Sequence, residues 1–224
     1  MKKLLFSIAV LLSLSTTAQT QNDVTEFLGI PVDGTKWEMI RRLKARGFRS
    51  TDYDREVLKG EFNGRDVNVH VVTNNNKVYR IMIADATTTD ERNIRARFNT
   101  LCRQFENNPK YISLNEDQTI SDDEKIFYEM TIKKRCYQAV FYQKPEDGVV
   151  AEKLKELITS EYTEDQLANP TEEIEQKSAL LQELLLGIPY ENKVVWFTIA
   201  ELRGKFYIVM YYDNTYNQAN GDNL

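Results

Sequence analysis

The chain has 224 residues, 42% of them hydrophobic and 28% charged, and its 34 acidic against 29 basic residues give a formal net charge of −5. That length buries a core without metal or disulfide staples, and the acidic balance argues against nucleic acid or an anionic membrane as a partner. The single histidine, His70, excludes HExxH and every multi-histidine zinc site, and the sequence contains no Walker loop, no GxGxxG and no GxSxG elbow.

The N-terminus reads as an export signal. Lys2 and Lys3 give a short positive start, Leu4 to Leu14 is an uncharged and mostly apolar run, and Ser15-Thr16-Thr17-Ala18 offers small residues for cleavage after Ala18. The run falls short of the roughly 18 apolar residues a membrane span needs. No later stretch approaches that length, and no cysteine stands at the cleavage site to carry a lipid. The expectation is a signal peptide over 1–18 and an exported, soluble protein, periplasmic or secreted.

After a polar stretch, Phe27 to Pro31 leads into a helix. Thr35 and Glu38 have capping-box spacing, Met39, Ile40 and Leu43 form its apolar stripe, and Gly47 fits a left-handed C-terminal cap. A meander follows. Residues 57–62 meet the Asn63-Gly64 turn, 65–73 alternate cleanly with Val67, Val69 and Val71 on one side, and Asn74-Asn75-Asn76 turns into 77–84. The same order then recurs. Thr88 and Glu91 have capping-box spacing, and Ile94, Phe98, Leu101 and Phe105 stripe a helix over 90–107. Strands are expected at 110–114, 125–132 and 135–143.

Pro145 to Gly148 marks a boundary. Val150, Leu154, Leu157 and Ile158 stripe a helix at 149–160, and Asn169 with Pro170 and Glu172 opens another that runs to about Leu186. The leucines at its end, Leu181 and Leu185 among them, form too wide a stripe for a one-sided helix, which predicts deep burial or a docked second chain. A hairpin of 193–200 and 205–212 turns at Arg203-Gly204, and residues 214–224 read as a flexible tail.

The fold class expected is α+β, with antiparallel β-meanders each preceded by a helix and the helices packed on one sheet face. The organisation read is two helix-plus-three-strand units over 19–144, then two helices and a β-hairpin over 145–213.

No residue set is assigned a catalytic, cofactor-binding or metal-binding role. His70 sits on the polar side of its strand. Asp52 and Asp54, the run Asp122-Asp123-Glu124, and Asp213, Asn214, Asn217, Asn220 and Asp222 are read as solvated loop residues without calcium-loop spacing. Cys102 and Cys136 are an even count that permits one disulfide or two buried thiols. Tyr207, Tyr211 and Tyr212 form an aromatic cluster of the kind that anchors interfaces, and together with Leu181 and Leu185 they are the candidate contact residues.

The segment Phe27-Leu28-Gly29-Ile30-Pro31-Val32-Asp33-Gly34-Thr35, followed by Met39-Ile40, Leu43-Lys44 and Gly47-Phe48, resembles an N-terminal pattern of uncharacterised exported proteins of Bacteroidetes. The layout of a helix before a small antiparallel sheet, used twice, is similar to β-lactamase-inhibitor-like and outer-membrane-assembly lipoprotein domains. The resemblance implies a fold but no activity and no catalytic residue. Three functions stay open: an exported non-catalytic module that binds an envelope or extracellular protein, or a glycan; a carboxylate-based hydrolase; and an envelope assembly protein.

Overall fold

A computed structural model describes residues 23–51, 54–188 and 191–219. The expected signal peptide, Asp52, Asn220 and Asp222 lie outside the described residues. Contacts divide the described residues into two compact units: one holds 24–143 with 191–219, and the other is the helical unit over 144–188.

The larger unit opens with a two-residue hairpin, β1 (Glu26–Phe27) and β2 (Ile30–Pro31). Helix α1 (Lys36–Ala45) follows, started by the expected capping box: the Thr35 hydroxyl accepts from the Glu38 amide and the Glu38 carboxylate from the Thr35 amide. It ends in a Schellman motif. The Gly47 N–H donates to Lys44 O and the Phe48 N–H to Leu43 O, with Gly47 at φ +97° where an L side chain is strained. The motif delivers Phe48 into the core.

Strands β3 (Arg49–Ser50), β4 (Val57–Phe62), β5 (Arg65–Asn74) and β6 (Lys77–Asp85) form the first meander. Asn63-Gly64 and Asn75-Asn76 join them with positive φ at both central residues, the type I′ geometry that matches strand twist. Helix α2 (Glu91–Glu106) is capped by Asp90, whose carboxylate accepts from the Asn93 amide at 2.9 Å, rather than by the expected Thr88. It buries Ile94, Phe98, Leu101, Cys102 and Phe105. After β7 (Tyr111–Ile112), the segment expected to be a strand is helix α3 (Ile126–Thr131). Its apolar residues read as period two, but Ile126, which is buried, and Met130, which packs on the same core, are four apart and share one helical face. Strand β8 (Gln138–Gln143) follows, then the helical unit, then β9 (Val194–Leu202) and β10 (Lys205–Asp213), turned at Arg203-Gly204.

The sheet has eight strands in the order β3-β4-β5-β6-β10-β9-β8-β7, and every pair is antiparallel. The C-terminal hairpin therefore completes the sheet and does not form a separate region with the helices before it. Each half is a helix followed by four strands, and the halves join through their last strands, β6 and β10. Helices α1, α2 and α3 pack into one buried cluster with Val67, Val69, Ile81, Phe197, Phe206 and Ile208, so they lie on one sheet face. The expected tail is docked as far as it is described. Asn214 is buried and its amide donates to Val32 O at 2.8 Å, and the Asn217 amide donates to Val78 O at 2.8 Å.

Within the helical unit, α4 (Asp147–Glu161), α5 (Glu164–Ala168) and α6 (Glu172–Gly187) enclose a core of Val150, Leu154, Ile158, Leu167, Ile174 and Leu185. The α6 cap is Thr171, whose hydroxyl accepts from the Ile174 amide, and Asn169 instead ends α5.

The disulfide does not form. Cys102 is buried on α2 with its thiol directed at Gln118 O, 3.6 Å away, while Cys136 is exposed ahead of β8. Burial pushes the Cys102 thiol up to about 12.

Candidate functional site

Strand alternation sorts the larger unit's side chains into two faces. Opposite the helices, register places Val57, His70, Met82, Tyr211, Trp196 and Val140 in one row across six strands. All six are half-buried. Among the described residues of this unit, no helix covers the row.

The centre of the row is a stacked pair. The Trp196 and Tyr211 rings lie 4.0 Å apart and 19° from parallel. Arg80 joins them from β6, with its guanidinium carbon 4.8 Å from the Tyr211 ring centre and 5.5 Å from that of Trp196. Asp213 holds Arg80 and Trp196 in place. It accepts from Arg80 Nε at 2.6 Å, from Arg80 Nη2 at 2.7 Å and from Trp196 Nε1 at 2.9 Å. The Asp213 side chain is 5% exposed and that of Arg80 is 27% exposed. The hydrogen bonds to Asp213 raise the Arg80 pKa above its ordinary value, so Arg80 stays charged. Burial raises the Tyr211 pKa and keeps its hydroxyl neutral.

A backbone irregularity makes the arrangement possible. Val72 pairs with Arg80 and Thr73 with Val78, so Tyr79 is an extra residue in β6. Such a bulge re-aims side chains. Val78 and Ile81 both face the core, and Arg80 between them faces the opposite side.

A second feature is a polar cleft of about 400 Å³ between residues 115–121 and 135–138. The Glu124 carboxylate at its side accepts from Tyr137 Oη at 2.5 Å and from Arg135 Nη1 at 2.7 Å. Burial, then the hydrogen bond to Glu124, raise the Tyr137 pKa well above its ordinary value. Of the acidic run, Glu124 thus holds local structure, and Asp123 accepts from the Ser121 hydroxyl.

No known family, curated protein or solved structure matches this chain. Its function must be argued from its own geometry.

Of the expected contact residues, only Tyr211 belongs to the stacked centre. Tyr207 is half-buried four positions from Tyr211 along β10, on the same face. Tyr212 is 4% exposed on the core face and unavailable to a partner, because alternation turns it toward Phe27. Leu185 is buried in its own helical unit, which is the deep burial that is one of the two expectations, and Leu181 is half-buried at the margin of that core. The outward leucines of α6 are Leu180 and Leu184.

Trp196 and Arg80 were not among the expected residues. Both were marked in the sequence by position: a tryptophan out of phase with Val195, Phe197 and Ile199, and a lone charge inside KVYRIMIA. Asp213, read as a loop oxygen, closes β10. Among the described residues no three His, Cys, Asp or Glu side chains group as metal ligands, and no helix is long and apolar enough to cross a membrane.

Proposed function

We propose that this chain is an exported, non-catalytic binding module that recognises an envelope or extracellular protein through the face of its sheet opposite α1, α2 and α3. The observation that carries the reading is the Trp196–Tyr211 stack with Arg80 over it, half-exposed and held by a buried carboxylate. Tryptophan, tyrosine and arginine are the side chains that most often dominate binding energy at protein interfaces. Their rigidity here matters as much as their identity, because a group fixed before binding loses less freedom on association.

The test is affinity capture and cross-linking with the full chain in its native envelope fraction. Tyr211→Ala should lose a partner that the wild type retains, while Trp37→Ala, on the exposed side of α1, should keep it. Circular dichroism checks that both variants fold. Capture unaffected by Tyr211→Ala overturns the assignment of this face. A glycan on the captured species, with binding abolished by deglycosylation, replaces the protein partner with a carbohydrate.

A further inference from the structure

Strand β7 pairs with β8 only through Tyr111–Gln143 and Ile112–Tyr142. Among the described residues no strand lies beside the outer edge of β8 beyond Tyr142, and a side chain takes the strand's place. Gln118 Oε1 accepts from the Val140 N–H at 2.8 Å, and Gln118 Nε2 donates to Val140 O at 2.9 Å. One carboxamide thus makes both hydrogen bonds that a neighbouring peptide would make. The loop that carries it is fixed in the same way. Asn99 Oδ1 accepts from the Ile120 N–H at 2.7 Å, and Asn99 Nδ2 donates to Ile120 O at 2.8 Å.

The next rung toward the start of β8 is Gln138. In an antiparallel ladder the peptide groups face alternate neighbours. Tyr137 O accepts from the Ile199 N–H on the β9 side, so the N–H and C=O of Gln138, like those of Val140, face outward. Among the described residues nothing takes the place at Gln138 that Gln118 takes at Val140. Gln138 instead lines the polar cleft.

We infer that this cleft is a peptide-binding site, in which an extended segment of a partner protein adds as a strand to the outer edge of β8 and pairs with Gln138. The Gln118 carboxamide shows the position a peptide group takes at the adjacent rung, and main-chain pairing of this kind is a common recognition mode. The lining sets the chemistry of the segment. Asn115, Thr119 and Ser121 are neutral and polar, the Arg135–Glu124 pair neutralises itself, and the Asp117 carboxylate leaves one negative charge. A segment of small polar side chains that carries no acidic residue fits.

The site is separate from the Trp196–Tyr211 face, and its test distinguishes the two. A random peptide library displayed on phage is selected against the full chain, and a selected sequence is synthesised. Strand addition predicts a period of two. N-methylation of alternate peptide nitrogens, those facing β8, should weaken binding by about tenfold, a loss of about 1.4 kcal/mol. Methylation of the intervening nitrogens should change it by less than about twofold. The Gln138 amide should gain protection from hydrogen exchange in the complex. Gln118→Ala, which opens Val140, should tighten binding, and Tyr211→Ala should leave it unchanged. Failure to select any peptide, methylation effects without alternation, or an unprotected Gln138 amide overturns the inference.

Discussion

Removing the Asp213 side chain tests whether the aromatic centre is held or merely adjacent. Asp213→Ala deletes two charge-assisted bonds to Arg80 and one to Trp196. A hydrogen bond to a charged group contributes about 1.5–3 kcal/mol to stability, and the three are not additive because they share one carboxylate. Breaking a fully buried ion pair costs about 3–5 kcal/mol, much of it from the charge left behind. Arg80 is 27% exposed and regains some water, which shifts the cost downward from that range. The expected loss is about 2–4 kcal/mol, measured by urea unfolding and followed by fluorescence. Trp37 and Trp196 are the only tryptophans, so a Trp37→Phe background leaves Trp196 as sole reporter at the site itself. Asp213→Asn keeps the volume and one acceptor oxygen and should lose less. A cost below about 0.5 kcal/mol for Asp213→Ala, the level of an ordinary surface change, would show that the carboxylate does not hold the arginine and the ring.

Four further outcomes are expected. Gly60→Ala should destabilise by about 1–3 kcal/mol on thermal unfolding despite the gain in strand preference, because the new methyl would meet the Phe48 ring, with Cε1 at 2.8 Å; a stabilised variant would show that Phe48 gives way freely. Leu185→Ala should cost about 2–5 kcal/mol and Leu180→Ala less than about 0.5 kcal/mol, by the same measurement, since one is 8% and the other 58% exposed. Under native conditions Cys136 should react with a thiol reagent and Cys102 only on unfolding, and a mass shift at Cys102 in the folded state would contradict its burial. Burial lowers the His70 pKa below its ordinary 6.5, so the unfolded chain takes up the proton first; stability should fall as pH drops below about 6.5, levelling below the folded value, and His70→Asn should remove that slope from a pH series of unfolding midpoints.

The local code of this chain was readable wherever one short motif decides the geometry. Thr35 with Glu38, Gly47, Asn63-Gly64 and Arg203-Gly204 each do in the structure what their chemistry requires. Reading failed where two periods fit one segment. In 125–132 the apolar residues suit a strand, and only the core decides that Ile126 and Met130 share a helical face. It failed again where a long-range partner was needed. Nothing near Asn217 in sequence indicates that its amide reaches Val78 O, and nothing near Gln118 indicates Val140. The candidate site belongs to this second class. The stack needs the β9–β10 register, and the ion pair needs β6 beside β10, a pairing that joins residues 133 positions apart.

The seam between the two halves explains why the constellation lies where it does. Each half ends on a strand whose free edge must be paired, and antiparallel joining of β6 to β10 satisfies both. Trp196, Tyr211 and Asp213 come from the second half, but the guanidinium that neutralises Asp213 and lies over both rings comes from the first. The bulge that absorbs Tyr79 makes this contribution compatible with a packed core. With Val78 facing the helices, unbroken alternation would turn Arg80 inward and Ile81 outward, because a shift of one residue exchanges the two faces. The bulge lets Val78, Ile81 and Ile83 all serve the core while Arg80 serves the other face. Deleting Tyr79 should therefore leave Val78 and Ile81 on the core face and Arg80 on the other, because alternation then runs unbroken, at the cost of the Asn214 N–H bond to Tyr79 O, whereas Arg80→Met should disturb the centre and leave the register of β6 intact.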